Sequence, residues 1–413
     1  MPAQNLTRFM ALALCTATFA GTNSSFAASL EDSVSVSGFG RVVGGYLNTD
    51  QAEFRGYSDH INLDPKSLIG LQVHAQANDY LSVTAQGVLR ANDTQDSELD
   101  WLYATIQPED NLSIKVGKLR TPFFMLSDVI DVGYAYHWIS PPEQMYSAYL
   151  FPTFEGIDAT WGYFSNGFDT SFEAYIGQHE GDITLNNRTT DYDVDTLGGL
   201  IASTRYGNVQ LRASFHQGDV DIALSELDLL AGSVSRFNSF PKTVDALSTQ
   251  SVINVTQLGI RYDDLNYFAA AEWVNINPDV QTFIPEIDTY YLTGGYIFDD
   301  ITLHLTYAES DLSYDDFPNE VASALANMNP LDPRYQGLAG INYGLNQIES
   351  SRSSDSLKSW TLGVRWDVQP KLAVKGEVTW LRGDRNESAM FNSIDDDFDR
   401  TTELYQVGVE WIF

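Results

Sequence analysis

The residues of this chain that could do chemistry are charged side chains set singly among apolar neighbours. Arg41, Arg90, Lys115, Arg212, Arg261, Arg365 and Lys375 each lie on the polar side of an alternating segment. Lys118 and Arg120 follow Lys115 at the start of a long apolar connection, which itself carries Asp128 and Asp131. Fixed charges of both signs make no bonds, but they act through their field on a solute that passes between them. Residue sets for covalent work are not legible. The six histidines (His60, His74, His137, His179, His216, His304) show neither i,i+4 nor short metal-binding spacing, and no nucleophile elbow or phosphate loop is present. Asp395-x-Asp397-x-Asp399 starts like a calcium loop but lacks its central Gly and terminal Glu, so it reads as a solvated loop. Catalysis, a cofactor and a bound metal are therefore not expected.

Such charges need rigid elements to hold them, and the sequence specifies strands. From Glu403 to Phe413 the chain alternates strictly, with Tyr405, Val407, Val409, Trp411 and Phe413 on one side and Gln406, Gly408 and Glu410 on the other. A period of two marks a strand with two chemically different faces. About ten residues is the length of a tilted strand that crosses a bilayer. Similar segments recur at 34–46, 68–78, 80–90, 98–107, 112–119, 155–164, 168–178, 197–206, 209–217, 252–262, 265–274, 288–298, 301–310, 357–368, 371–381 and 403–413. The fold class expected is all-β: a transmembrane antiparallel barrel of about sixteen strands, an even number as in single-chain bacterial barrels.

The connections support this reading. Tight turns such as Asn78-Asp79, Ser165-Asn166-Gly167, Gly207-Asn208, Asp299-Asp300 and Gln369-Pro370 alternate with long stretches near 47–67, 120–154, 179–196, 218–251, 275–287, 311–356 and 382–402. Short turns on one rim and long loops on the other are the barrel pattern. All fourteen prolines fall outside the expected strands, as a ring without edges requires. Phe164, Tyr206, Tyr262 and Phe298 each immediately precede a short turn, a row suited to a membrane–water boundary.

Composition narrows the classes further. Met1 to Ala27 reads as a secretory signal, with Arg8 before the apolar run Phe9–Ala20 and Ser25-Phe26-Ala27 at a small-x-small cleavage site. The only cysteine, Cys15, lies inside it, so residues 28–413 offer no disulfide or thiolate and are expected to form a single barrel domain. A net charge of −33 excludes general nucleic-acid binding. Most of the excess acid lies in loop runs such as Asp191–Asp195 and Asp395–Asp399, whereas the polar strand positions are near charge balance.

The connection Arg120–Tyr146 is unlike the others, because it carries Phe123, Phe124, Met125, Leu126, Ile130, Trp138 and Ile139. An outer loop of that composition needs a surface to pack on, and folding inward against the wall supplies one. Lys115-Val-Gly-Lys-Leu-Arg-Thr-Pro-Phe123, then Asp128, Asp131-Val-Gly-Tyr134 and Pro141-Pro142-Glu143, resembles the constriction loop of Gram-negative porins, nearest to the phosphate-selective porin O/P-like and related trimeric families. The aromatic carboxy-terminal strand resembles theirs too. The motif-level match covers only these two regions, and no anion-binding arginine set maps residue by residue.

The resemblance implies a passive outer-membrane channel for small hydrophilic solutes or ions. It also implies an inward-folded third outer loop, a homotrimer, and lipid and lipopolysaccharide as neighbours. Rival readings are a channel specific for sugars or oxyanions, or a secreted β-rich adhesin or carbohydrate-binding protein. Two readings of the charges stay open at this point. Wall cations facing Asp128 and Asp131 would create a transverse field; alternatively, the ions pair simply to make a polar interior. Tyr134, Tyr136, Trp138, Tyr146, Tyr149 and Phe151 either form a stacking track for sugars or pin the loop to the wall.

Overall fold

The computed structural model describes residues 33–413 except 93–96, 149–150, 186–187, 281–283 and 353. The expected signal segment and Cys15 lie outside these residues. Sixteen antiparallel strands close into one barrel. In chain order they are β1 (Val34–Leu47), β2 (Leu68–Asn78), β3 (Leu81–Arg90), β4 (Glu98–Glu109), β5 (Leu112–Arg120), β6 (Thr153–Ser165), β7 (Phe168–Leu185) and β8 (Arg188–Tyr206). Then follow β9 (Val209–Ile222), β10 (Gln250–Asp263), β11 (Tyr267–Pro278), β12 (Glu286–Phe298), β13 (Ile301–Ser313), β14 (Asp355–Gln369), β15 (Leu372–Gly383) and β16 (Thr401–Ile412). Every expected strand has one counterpart.

The ring closes where β1 meets β16, in register from Phe39 opposite Ile412 to Leu47 opposite Leu404. Gly38 and Phe413 continue this seam by exchanging backbone hydrogen bonds of 2.9 and 3.1 Å. Only glycine fits there, since a Cβ on Gly38 would stand 2.3 Å from the Phe413 ring.

Burial is inverted relative to a soluble protein. Trp366, Val407 and Leu200 are 50%, 61% and 66% exposed, whereas Gln257, His216 and Thr306 are almost fully buried. In a closed ring the buried polar face is the inside and the exposed apolar face meets lipid. Phe164, Tyr206, Tyr262 and Phe298 are all exposed beside their turns, as an interfacial row requires.

Two expectations are corrected. The stretch 179–196 is mostly strand, because β7 and β8 run on well past the expected ends. Beyond the lipid both faces are wet, so apolar alternation stops while backbone pairing continues. Prolines are not wholly excluded either: Pro108 sits at a bulge between Ile106 and Glu109, and Pro278 ends β11. At a bulge or a strand end the missing N–H removes no ladder bond.

The remaining connections carry structure of their own. Glu53–Phe54 pairs with Phe391–Asn392, joining the connections that flank the seam over a core of Leu47, Phe54, Tyr57, Phe391 and Phe398. The short helix α1 (Glu143–Tyr146) lies in the third outer connection. Helices α2 (Ser225–Ser235) and α3 (Pro241–Ala246) follow β9, while α4 (Glu320–Ala326) and α5 (Tyr335–Ser351) follow β13. Leu227, Val234, Phe240, Leu247, Val321, Leu338 and Leu345 join these last four helices into one apolar cluster. Asn319 caps α4 by accepting from Ala322 N–H at 3.0 Å, and Thr243 Oγ1 donates to the Pro318 carbonyl at 2.6 Å.

Candidate constriction site

Between β5 and β6 the chain carries apolar side chains that pack on one another and on the inner wall. Phe123, Phe124, Trp138, Met145, Tyr146 and Phe151 are buried in one cluster with Val220, Ile253, Val274 and Tyr291, which belong to β9 through β12. A segment that touches inward positions on so many strands of a closed ring lies within the ring. Fully burying such side chains is worth about 1.5–3 kcal/mol each, which offsets the cost of ordering a long loop. Trp138 also donates its indole N–H to Thr306 Oγ1 on β13 at 2.8 Å.

The loop has little regular structure, so its backbone polar groups need partners from elsewhere. The wall supplies them in both polarities. Lys375 on β15 donates to the carbonyls of Gly133, Tyr136 and Trp138 at 2.8, 2.8 and 2.6 Å. Arg365 on β14 donates to Tyr134 and Tyr136 carbonyls, both at 2.8 Å, with its guanidinium over the Tyr134 ring. Arg212 on β9 reaches the Pro122 and Phe123 carbonyls and Gln257 Oε1. Conversely, Glu272 on β11 accepts from Met125 N–H at 2.7 Å and Tyr146 O–H at 2.9 Å, and Glu377 on β15 accepts from Ile139 N–H at 2.8 Å.

On the opposite side, Asp131 sits between two arginines. Arg120 Nη2 lies 2.6 Å and Arg90 Nη2 3.2 Å from its Oδ2, and both guanidinium groups also touch Asp100 Oδ2, at 3.2 and 3.1 Å respectively. Burial alone would raise the Asp131 carboxyl, but Arg120, Arg90 and Arg41 outweigh it and hold the group below the ordinary carboxylate range. Arg41 on β1 donates to the Tyr136 hydroxyl at 3.0 Å and to the Lys66 carbonyl at 2.7 Å. Glu143, at the start of α1, pairs with Lys66 and lies 3.8 Å from Arg55; these cations overcome its burial and lower it too.

The sequence-derived candidates divide accordingly. Arg41, Arg90, Arg120, Asp131, Arg212, Arg365 and Lys375 meet at the loop–wall junction. Lys115 pairs with Asp158 at 3.8 Å and faces the exposed Asp128. Arg261 pairs with Asp263 at the short-turn end of β10 and makes no hydrogen bond to the loop among the described residues. Lys118 is not pore-lining: register sets it opposite Leu102, on the outward face shared with Val116, where it pairs with Glu98 at 2.8 Å.

A transverse field between wall cations and Asp128 and Asp131 is not what forms. Arg212, Arg365 and Lys375 hold loop carbonyls, Arg41 holds the Tyr136 hydroxyl, and Asp131 is neutralised on its own side by Arg90 and Arg120. Of the aromatics, Tyr136, Trp138, Tyr146 and Phe151 are buried, so they pin the loop; Tyr149 lies outside the described residues. Sequence reasoning also missed Asp100, whose position by simple alternation is outward. A bulge between Gln86 and Gly87 leaves it as the extra residue and turns it in. Glu410 was legible on the polar side of the last strand, but its partner Lys375 was not.

A closed transmembrane barrel whose interior is narrowed by one of its own connections is a membrane channel. The family model for Gram-negative porins matches residues 11–410. The chain belongs to the Gram-negative porin family and forms an outer-membrane diffusion channel. No curated protein sequence matches it. Among solved structures, the anion-selective porin from Comamonas acidovorans matches with a TM-score of 0.55 at 12% identity, over 92% of this chain and 99% of that one. A loop-deletion form of OmpT from Vibrio cholerae gives 0.54 at 12% identity, over 92% and 99%. Salmonella typhi OmpF, in complex with daunomycin, gives 0.53 at 12% identity, over 92% and 97%. Likeness at this identity shows a shared fold.

Proposed function

We propose that this porin is a passive, water-filled homotrimeric pore for small hydrophilic solutes, without catalysis, exported by a signal cleaved after Ala27. The observation that carries the reading is the docking of the segment Pro122–Tyr146 by wall groups of both charges. At neutral pH it sets the bore. The trimer rests on family membership and on an OmpT structure described as a trimer form. Outer-membrane lipid and lipopolysaccharide surround the outward apolar rows. The pore-lining set comprises the loop–wall residues above with Lys115 and Asp128.

A sugar- or oxyanion-specific channel is the weaker reading, because the aromatics and most of the cations it would use are already engaged with the loop. Liposome swelling tests the proposal. Protein extracted in detergent should admit small sugars and amino acids at rates that fall smoothly with solute size. Saturable uptake of one solute class would favour the specific channel.

A further inference from the structure

The outward face of β13 to β15 carries a feature that the pore does not use. Tyr307, Trp360 and Trp380 stand side by side there, in register across the three strands. The Tyr307 and Trp360 ring centres are 4.9 Å apart. Trp366 and Trp411 hold the same outward face beside the short turn at Gln369-Pro370. Two aromatic levels on a lipid-facing wall mark the two membrane boundaries, and the level towards the long connections is the outer one.

One outward position beyond Trp360 and Trp380 stand Lys358 and Arg382, which are themselves register partners. Like charges set directly opposite on neighbouring strands repel, and the Arg382 charge does act on Lys358. Lys358 is 54% exposed and lies 3.0 Å from Glu309, but that carboxylate also accepts from the Tyr290 and Tyr307 hydroxyls at 2.7 and 2.6 Å. The Arg382 guanidinium is exposed and has no ion-pair or hydrogen-bond partner among the described residues. Asp288, Asp311 and Glu403 hold outward positions at the same rim. Those acids repel an anionic headgroup, so the cation pair above its aromatic shelf singles out where one is held.

We propose that Lys358 and Arg382 bind a phosphate of an outer-leaflet lipid of the lipid A type, whose sugar and first acyl carbons rest on Trp360 and Trp380. This rests on the reading that lipopolysaccharide surrounds the outward rows, and gives one such molecule a fixed place on the barrel. Guanidinium and ammonium suit a phosphate together, the first as a fork and the second as a point charge. A headgroup at the height of the aromatic belt reaches both without leaving the bilayer.

The test uses the purified protein in detergent, stripped of native lipid and titrated with fluorescent bisphosphorylated lipid A, with anisotropy as the readout. Binding to the wild type should saturate. Lys358→Gln with Arg382→Gln should weaken it by about tenfold, and so should removal of both phosphates from the lipid. Lys118→Gln, which removes an outward cation elsewhere on the wall, should leave the affinity unchanged. Inorganic phosphate should not compete, because it has nothing to rest on the tryptophans. No saturable binding, equal affinity in the double variant, an equal loss in Lys118→Gln, or displacement by inorganic phosphate would overturn the site. A double variant that binds lipid A normally but loses its oligomer would assign this face to a subunit contact and overturn it too. Heat-modifiable migration and conductance of the same samples keep the porin reading separate: their retention leaves it standing, and their absence from the wild type would end it.

Discussion

Lys375 and Glu410 meet at 2.5 Å on neighbouring strands with neither side chain exposed to water. The ammonium also faces three loop carbonyls, so one cation joins two wall strands and the tip of the constriction loop. An ion pair in such surroundings is expensive to disrupt from one side only, because the surviving charge is left buried and alone.

Replacing Lys375 with Met should therefore undock the loop tip rather than simply alter charge. The cost is about 3–5 kcal/mol, and single-channel recordings should show larger, noisier openings. Pairing it with Glu410→Gln should recover part of the loss. Equal behaviour of the single and double variants would argue against the proposed coupling.

Gly133 gives a steric handle on the same junction. A Cβ there would stand 2.5 Å from Glu410 Oε1. Gly133→Ala should push Glu410 away from Lys375 and shift conductance in the direction seen for Lys375→Met, with strand content by circular dichroism unchanged. A wild-type conductance would show that the tip accommodates the methyl group.

Asp131 and His137 predict opposite behaviour on mild acidification. The Asp131 carboxyl is held low by its arginines, so its contribution is complete above roughly pH 4, the ordinary carboxylate value, and is lost only as pH falls through the depressed one. Between pH 7.5 and 5 it should not change. His137 lies against Trp138 and Phe268, and loss of hydration with the nearby Lys375, Arg261 and Arg365 charges keeps it well below its ordinary value. An undocked loop would take up a proton on this imidazole below about pH 6.5, while the docked loop would not, so docking weakens as pH falls. Open-channel noise should rise from pH 7.5 to 5 in the wild type and stay flat in His137→Phe, which keeps the ring. A pH-independent wild type would remove His137 from the latch.

The helical connections above the barrel have their own core and should be separable from conduction. Leu345 is fully buried there. Leu345→Ala should cost about 2–5 kcal/mol within the cap and expose 314–354 to protease on intact cells, with conductance retained. Simultaneous loss of conductance would place the cap in the permeation path.

Strand positions were readable because alternation reports which side of a sheet is wet, and all sixteen elements follow from it. Where both sides are wet, as above the membrane in β7 and β8, that signal vanishes and the strand ends were misplaced. The helices of the outer connections carried a signal of a different period, Leu227–Val234 and Leu338–Ile341–Leu345, which a search for strands passes over. For the site, alternation identified inward charges but not what each one holds. Lys375 donates to a carbonyl 237 positions away, and no local pattern encodes a partner across a closed ring. Asp100 escaped for the narrower reason that one bulge reverses the parity of its strand.

The manner in which the wall grips the insert bears on how such pores diversify. Lys375, Arg365 and Arg212 clasp main-chain oxygens, which every amino acid possesses. Substituting the residue that owns a clasped oxygen leaves the clasp in place wherever the new side chain has room, as it does not at Gly133. Mutational drift can thus remodel the permeability of this conduit at positions such as 128 without first inventing a new way to seat the insert.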